Sequence, residues 1–140
     1  MNYIEKQKFN LYELVGESVR KKRILLLEPE YYSRGLYARH LKLGGMHVVC
    51  AENMDHCIFM VKTCEPDLAL ISPHSERDLN KFIDKLKDLR KEHEFLPIMT
   101  IGQYLPSDIL GKMMNLGVAS HMEKRLSRPK DVVLIIKTFI

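Results

Sequence analysis

The side chains whose types and places suit chemistry are Glu28 and Glu30, Ser72 with His74, His121, and Lys124. Glu28, Pro29 and Glu30 follow one apolar run, Ser72 ends another and Lys124 follows the short strand segment 120–123, so the carboxyl ends of a common sheet would gather them. Two carboxylates are enough for weak Mg²⁺ binding, because that ion often takes one or two protein carboxylates plus other oxygens. Pro29 between them offers no side-chain oxygen. Lys124 has an ion pair with Glu28 as its plain expectation and a small anion as the sharper one. Ser72 and His74, two residues apart, have the types of a nucleophile and its base. A serine hydroxyl without an oriented base or a metal is nevertheless a poor nucleophile, and no third, orienting group is evident. A polar strand-end loop is the plainer reading. His121 is of a residue type that suits a pH-sensitive role; a satisfied, half-exposed histidine is the plain expectation. The cysteines Cys50, Cys57 and Cys64 are spaced by seven and lack paired zinc spacing. They are expected to be reduced and mostly buried. No glycine-rich phosphate loop is present. No metal and no cofactor are expected.

The elements that would position these groups alternate regularly. Ile24–Leu27 is an apolar run suited to a strand covered on both faces. Residues 30–43 carry a helical pattern closed by Gly44 and Gly45. Residues 47–51 form a second strand. Met54–Cys64 is a second helix capped by Asn53, with Ile58, Phe59 and Val61 facing inward. Pro66 breaks it, and Leu68–Ile71 is the third strand. Residues 76–92 give the clearest amphipathic stripe, through Leu79, Phe82, Ile83, Leu86 and Leu89. Residues 97–102 are a fourth strand, and Ser107 caps a helix with Ile109, Leu110, Met113, Met114 and Leu116, stopped by Gly117. Residues 120–123 are a short fifth strand. Residues 130–139 close the chain as a helix with Val133, Leu134, Ile136 and Ile140 to bury. Met99, Met113, Met114 and Met122 are expected to fill the core around this last part. Strands alternating with helices predict an α/β, doubly wound parallel sheet, with its functional crevice at the carboxyl ends of the strands.

The chain of 140 residues is one domain's length, and 46% hydrophobic with 29% charged residues suits a globular protein. No apolar stretch approaches the ~18 residues of a membrane span, and no signal-peptide core is evident. A cytoplasmic location and no membrane partner are the expectation. The net charge of +4 is concentrated in residues 1–23, which hold six bases and three acids. The remainder holds sixteen bases and fifteen acids, too nearly balanced for direct nucleic-acid contact. The run Arg20-Lys21-Lys22-Arg23 is expected to be a solvated boundary. Residues 1–22 stand apart as an amphipathic helical extension, with Ile4, Leu11, Val15 and Val19 at helical spacing and Gly16 weakening it. Residues 23–140 form the second unit.

Four segments resemble the receiver domain of response regulators, the CheY-like family: residues 23–30 its first strand and acidic cluster, 66–72 its phosphoacceptor strand, 96–102 its fourth strand, and 117–124 its glycine-to-lysine segment. The resemblance covers about residues 23–140. It implies a flavodoxin-like sheet of five parallel strands in the order 2-1-3-4-5. It also implies a phosphoryl-accepting aspartate with Mg²⁺ held beside it, and here the sequence departs. Ser72 stands at the acceptor position and Pro29 at that of a metal-binding acid. Gly102 replaces the usual Thr or Ser, and His121 takes the aromatic switch position. Lys124 is kept, but Arg125 follows it where the family has proline. Glu28, Pro29 and Glu30 are thus a degenerate acidic pocket.

Phosphoryl transfer depends on positioning and on neutralisation by metal and lysine, so the expected function is that of a phosphorylation-independent pseudo-receiver, not an enzyme. It would serve as an interaction or dimerisation module in signal transduction or transcriptional regulation, as the excised N-terminal part of a longer regulator would. Its partner would be a protein or a second copy, met through the last helix–strand–helix face or through the N-terminal helix. The alternatives are a small flavodoxin-like ligand-binding domain or enzyme using the strand-end crevice, and a receiver with an unusual phosphoacceptor.

Overall fold

The structure, a computed structural model, describes residues 20–140; the expected N-terminal helix lies outside the described residues. Within them, strands and helices alternate: β1 (Arg23–Leu27), α1 (Tyr31–Leu43), β2 (His47–Cys50), α2 (Met54–Cys64), β3 (Leu68–Ile71), α3 (Leu79–Glu92), β4 (Ile98–Gly102), α4 (Ser107–Asn115), β5 (Val118–Glu123) and α5 (Pro129–Lys137). The strands form one five-stranded sheet in the order β2-β1-β3-β4-β5. Every neighbouring pair is parallel, with Leu27 opposite Ile71 and Gly102 opposite Glu123 near the carboxyl ends. The expected fold class and strand order are those observed.

Strand side chains alternate in direction, and here both directions are apolar because both faces of the sheet are covered. Leu25, Leu27, Ala69 and Ile71 face α2, α3 and α4, where Met54, Phe82, Leu86 and Met113 meet them. Ile24, Leu26, Leu68, Leu70 and Met99 face α1 and α5, against Tyr37, Leu41, Val132 and Ile136. Side-chain caps begin three helices: Glu30 before α1, Asn53 before α2 and Asp78 before α3. Gly45, at φ +91°, takes the left-handed turn after α1.

Arg90 ties the amino-terminal ends of β4 and β5 together. Its guanidinium donates to the carbonyls of Leu116 (2.7 Å), His93 and Glu94 (both 3.0 Å), Leu96 (2.7 Å) and Gly117 (3.2 Å). At the start of β1, the Arg23 amide donates to Asp67 Oδ2 at 2.7 Å and its guanidinium to the Cys64 carbonyl.

Several local expectations are corrected. Ser107 is the first residue of α4, and Pro106 stands at its cap position without a side-chain bond. The third helix starts at Leu79, since Pro73–Ser75 form a separate 3₁₀ turn. The fifth strand starts at Val118 and the last helix ends at Lys137. Phe59, Met114 and Leu134 point to solvent. Only Cys57 of the three cysteines is buried; Cys50 is exposed and Cys64 half-buried. Burial pushes the Cys57 thiol up to about 12. The misses on helices share one cause: periodicity locates an apolar residue on a helix but not what that side of the helix meets.

Candidate functional site

The site is built from the loops that leave the carboxyl ends of β1, β3, β4 and β5. Glu28 directly follows β1 and is only 1% exposed. One carboxylate oxygen, Oε2, accepts from the Glu30 amide at 2.8 Å. The other, Oε1, lies 2.7 Å from Lys124 Nζ. That approach falls off the hydrogen-bonding direction, so Oε1 has an ionic partner and no directed hydrogen bond. Lys124 opens the 3₁₀ turn Lys124–Leu126 just after β5. From there its ammonium reaches across to the residue that follows β1.

Glu30 is engaged elsewhere. Its oxygens accept from the amides of Ser33 (2.8 Å) and Tyr32 (3.2 Å), which caps α1. The Ser33 side chain and then its amide, with a smaller contribution from Lys124, hold the Glu30 carboxyl below the ordinary range. A carboxylate that satisfies the positive end of a helix is already occupied. The two acids are therefore not a free cation-binding pair.

Ser72, 2% exposed, follows β3. Its amide donates to the Leu27 carbonyl at 2.8 Å, and its Oγ accepts from the His74 amide at 3.2 Å. The hydroxyl is thus the cap of the Pro73–Ser75 turn. His74 meets Ser72 through its backbone, not as an imidazole base, and its buried ring Nδ1 has no hydrogen-bond partner among the described residues. That ring stands beside Gly102: a Cβ on Gly102 would lie 3.0 Å from His74 Nδ1 and 3.6 Å from Ser72 Oγ. The imidazole fills the space over the last residue of β4 that a Thr or Ser side chain would enter. Burial, then the neighbouring His121 and Lys124, push His74 below its ordinary pKa, against a smaller opposing pull from Glu28.

His121 lies within β5, and its ring is fixed at both nitrogens. Nδ1 is 2.8 Å from Thr100 Oγ1 and Nε2 is 2.8 Å from the Gln103 carbonyl. A carbonyl only accepts, so Nε2 carries a proton and, in the neutral ring, Nδ1 accepts from the Thr100 hydroxyl. Thr100 is fully buried. Two bonds in opposite directions hold the imidazole against β4.

Glu28, Pro29, Glu30, Ser72, Gly102 and Lys124 line one shallow cavity of about 340 Å³, together with His74 and Gln103. His121 does not line it; it stands behind, through its bond to Gln103. Sequence reasoning undervalued His74, and Thr100 and Gln103 gave no signal beyond their places near the fourth strand's end. Within the cavity Glu28 and Lys124 cancel each other and Glu30 is committed to a cap. What remains is an unpartnered imidazole nitrogen and the outer ammonium hydrogens. Among the described residues, no group of three His, Cys, Asp or Glu stands close enough to hold a metal ion, and no helix is long and apolar enough to cross a membrane.

By sequence, no family model and no curated protein matches this chain. By structure, it is similar to the chemotaxis protein CheY4 of Vibrio cholerae, with a TM-score of 0.75 at 12% identity, covering 86% of this chain and 100% of that one. It is similar to an orphan response regulator of H. pylori (TM-score 0.73, 17% identity, 84% and 95% covered). A further neighbour belongs to a family of redox sensors in the streptococci evolved from two-component response regulators, at a TM-score of 0.74 and 20% identity; the match covers 84% of this chain and 50% of that one. The chain therefore carries the CheY-like, flavodoxin-type fold of response-regulator receiver domains.

Proposed function

We propose that this chain is a receiver-like module of signal transduction that works without aspartyl phosphorylation, by contact with a protein partner or a second copy, in a signalling or transcriptional pathway. The observation that carries this reading is the Ser72 hydroxyl at the end of β3, turned to cap its own loop while the Lys124 ammonium is neutralised by Glu28 at 2.7 Å. A serine in that place forms no acyl phosphate, and the lysine that would grip phosphoryl oxygens already has an anion. The role is one of binding and not of catalysis.

The contact surface supported best is the outer side of α4, β5 and α5. Leu126 is 70% exposed and Leu134 62%, with Met114 and Ile135 also open. Contiguous exposed apolar side chains mark interaction surfaces, and these four belong to α4, α5 and the turn that joins β5 to α5.

The test is incubation with Mg²⁺ and either acetyl phosphate or beryllofluoride, followed by intact mass and light-scattering chromatography. The mass and oligomeric state should stay unchanged by either reagent, while Leu134→Glu should lower the oligomeric state or weaken partner capture. A stoichiometric acyl phosphate, or an oligomer that appears only with beryllofluoride, would overturn the reading.

A further inference from the structure

Helix α1 is apolar on both sides. Tyr37 and Leu41 enter the core, while Tyr32 (80% exposed), Leu36 (40%) and Leu43 (76%) run along the opposite side with Arg39. Packing against the sheet and α5 covers only the inner side of this helix among the described residues, so its outer apolar side chains are left open. Between α1 and the end of the edge strand β2 lies a groove of about 430 Å³, lined by Tyr31, Gly35, Leu36, Ala38, Arg39 and Cys50 among others. Gly35 is open: a Cβ there would meet nothing within 4 Å. A bare glycine near an alanine lets another backbone come close, and in an exposed helix it otherwise only weakens the helix. The helix is also one-signed. Residues 31–43 contain Arg34, Arg39 and Lys42 and no acid.

The chain itself supplies a matching segment. Residues 9–19 carry Leu11, Val15 and Val19 at helical spacing, with Glu13 and Glu17 as their only charges. The described chain begins at Arg20, beside the turn that ends α1: Arg20, Lys21 and Lys22 share a cavity of about 390 Å³ with Gly44, Gly45 and Met46. The Lys22 carbonyl accepts from the His47 amide at the start of β2. The segment is therefore tethered at the carboxyl-terminal end of α1. At ~1.5 Å per residue the 13 residues of α1 are about 20 Å long. A stretch of 12 residues, if helical, would be nearly as long, about 18 Å, enough to span from the tether back to Tyr31.

We propose that the N-terminal segment of this same chain docks on the outer side of α1, its Leu11 and Val15 in the groove beside Gly35 and Cys50, its Glu13 and Glu17 toward Arg39 and Lys42. The tether makes the encounter intramolecular, so a modest apolar contact suffices where a free peptide would stay unbound. Opposite charges set the orientation of the segment on the helix.

Cys50 lines the groove and reports its occupancy in the full-length protein. The assay is timed alkylation with iodoacetamide, read by peptide mass spectrometry. Cys64, which does not line the groove, serves as the reference, and Cys57, wholly buried, reports global unfolding. The Cys50 rate in the unaltered chain should be slow and independent of protein concentration. In Val15→Asp, and separately in Leu36→Asp from the other side of the contact, it should rise about tenfold or more, because a covered thiol reacts only after local opening. Cys64 should be unaffected, and Cys57 should stay unreactive. Equal Cys50 rates in all three proteins would overturn the proposal. Protection that vanishes on dilution would also overturn it, since the occupant would then be a second copy.

Discussion

Replacing Lys124 by Met tests whether the Glu28–Lys124 pair is the fixed electrostatic centre of this fold. At 2.7 Å the gross attraction is about 6 kcal/mol for an effective dielectric of about 20. Most of that offsets the desolvation of a carboxylate that is 1% exposed. The substitution removes the attraction and leaves the desolvation, since Glu28 Oε1 then has neither an ion nor a directed hydrogen bond. For a wholly buried pair the loss is about 3–5 kcal/mol. The Lys124 side chain is 28% exposed, so water enters its place and the expected loss is smaller, about 2–3 kcal/mol. Glu28→Gln is expected to cost about 1 kcal/mol, because the lysine left behind rehydrates from its exposed side. The double variant should cost little more than Glu28→Gln alone, a coupling of about 2 kcal/mol. The assay is urea unfolding of all four proteins at constant m-value. If Lys124→Met costs under about 0.5 kcal/mol, as an exposed pair would, or if the two single losses simply add, the pair is not a buried neutralised centre and the argument for a silenced site loses its base.

Two further outcomes follow from the geometry. Arg90→Lys should destabilise the domain by at least about 3 kcal/mol in the same assay, because an ammonium cannot reproduce the planar fork that reaches five carbonyls; a loss below about 1 kcal/mol would show those bonds to be replaceable by water. The lowered His74 pKa means that the unfolded chain takes up the imidazole proton first, at its ordinary value of 6.5. Stability from this group is therefore full above neutrality and is lost as pH falls through 6.5, until the folded protein is protonated too. Thermal unfolding from mildly alkaline to mildly acidic pH should show the unaltered protein losing more stability than His74→Gln; parallel pH curves would refute it.

Much of the architecture is written in local pattern. The apolar runs Ile24–Leu27 and Leu68–Ile71, the cap Asn53 and the stripe from Leu79 to Leu89 each act over a few residues, so each is legible in place. Their alternation then leaves few ways to build a parallel sheet with right-handed crossovers. The serine at position 72 is likewise a fact of the chain, whatever surrounds it. Contacts between distant segments are different in kind. Glu30 has the type of a cation ligand, but the fold commits it to the amides of Tyr32 and Ser33. His74 sits two residues from Ser72, yet only the 3₁₀ turn decides that its backbone caps the hydroxyl while its ring covers Gly102. The Glu28–Lys124 ion pair is the one such contact expected from the sequence, and it is present at 2.7 Å; the clasp of His121 between Thr100 and Gln103 joins distant segments with no such forewarning. Side-chain identity and periodicity carry no term for such distances. They are set when the sheet closes its register, and so the tertiary structure decided which of the other polar groups are committed to caps and clasps and which are left over.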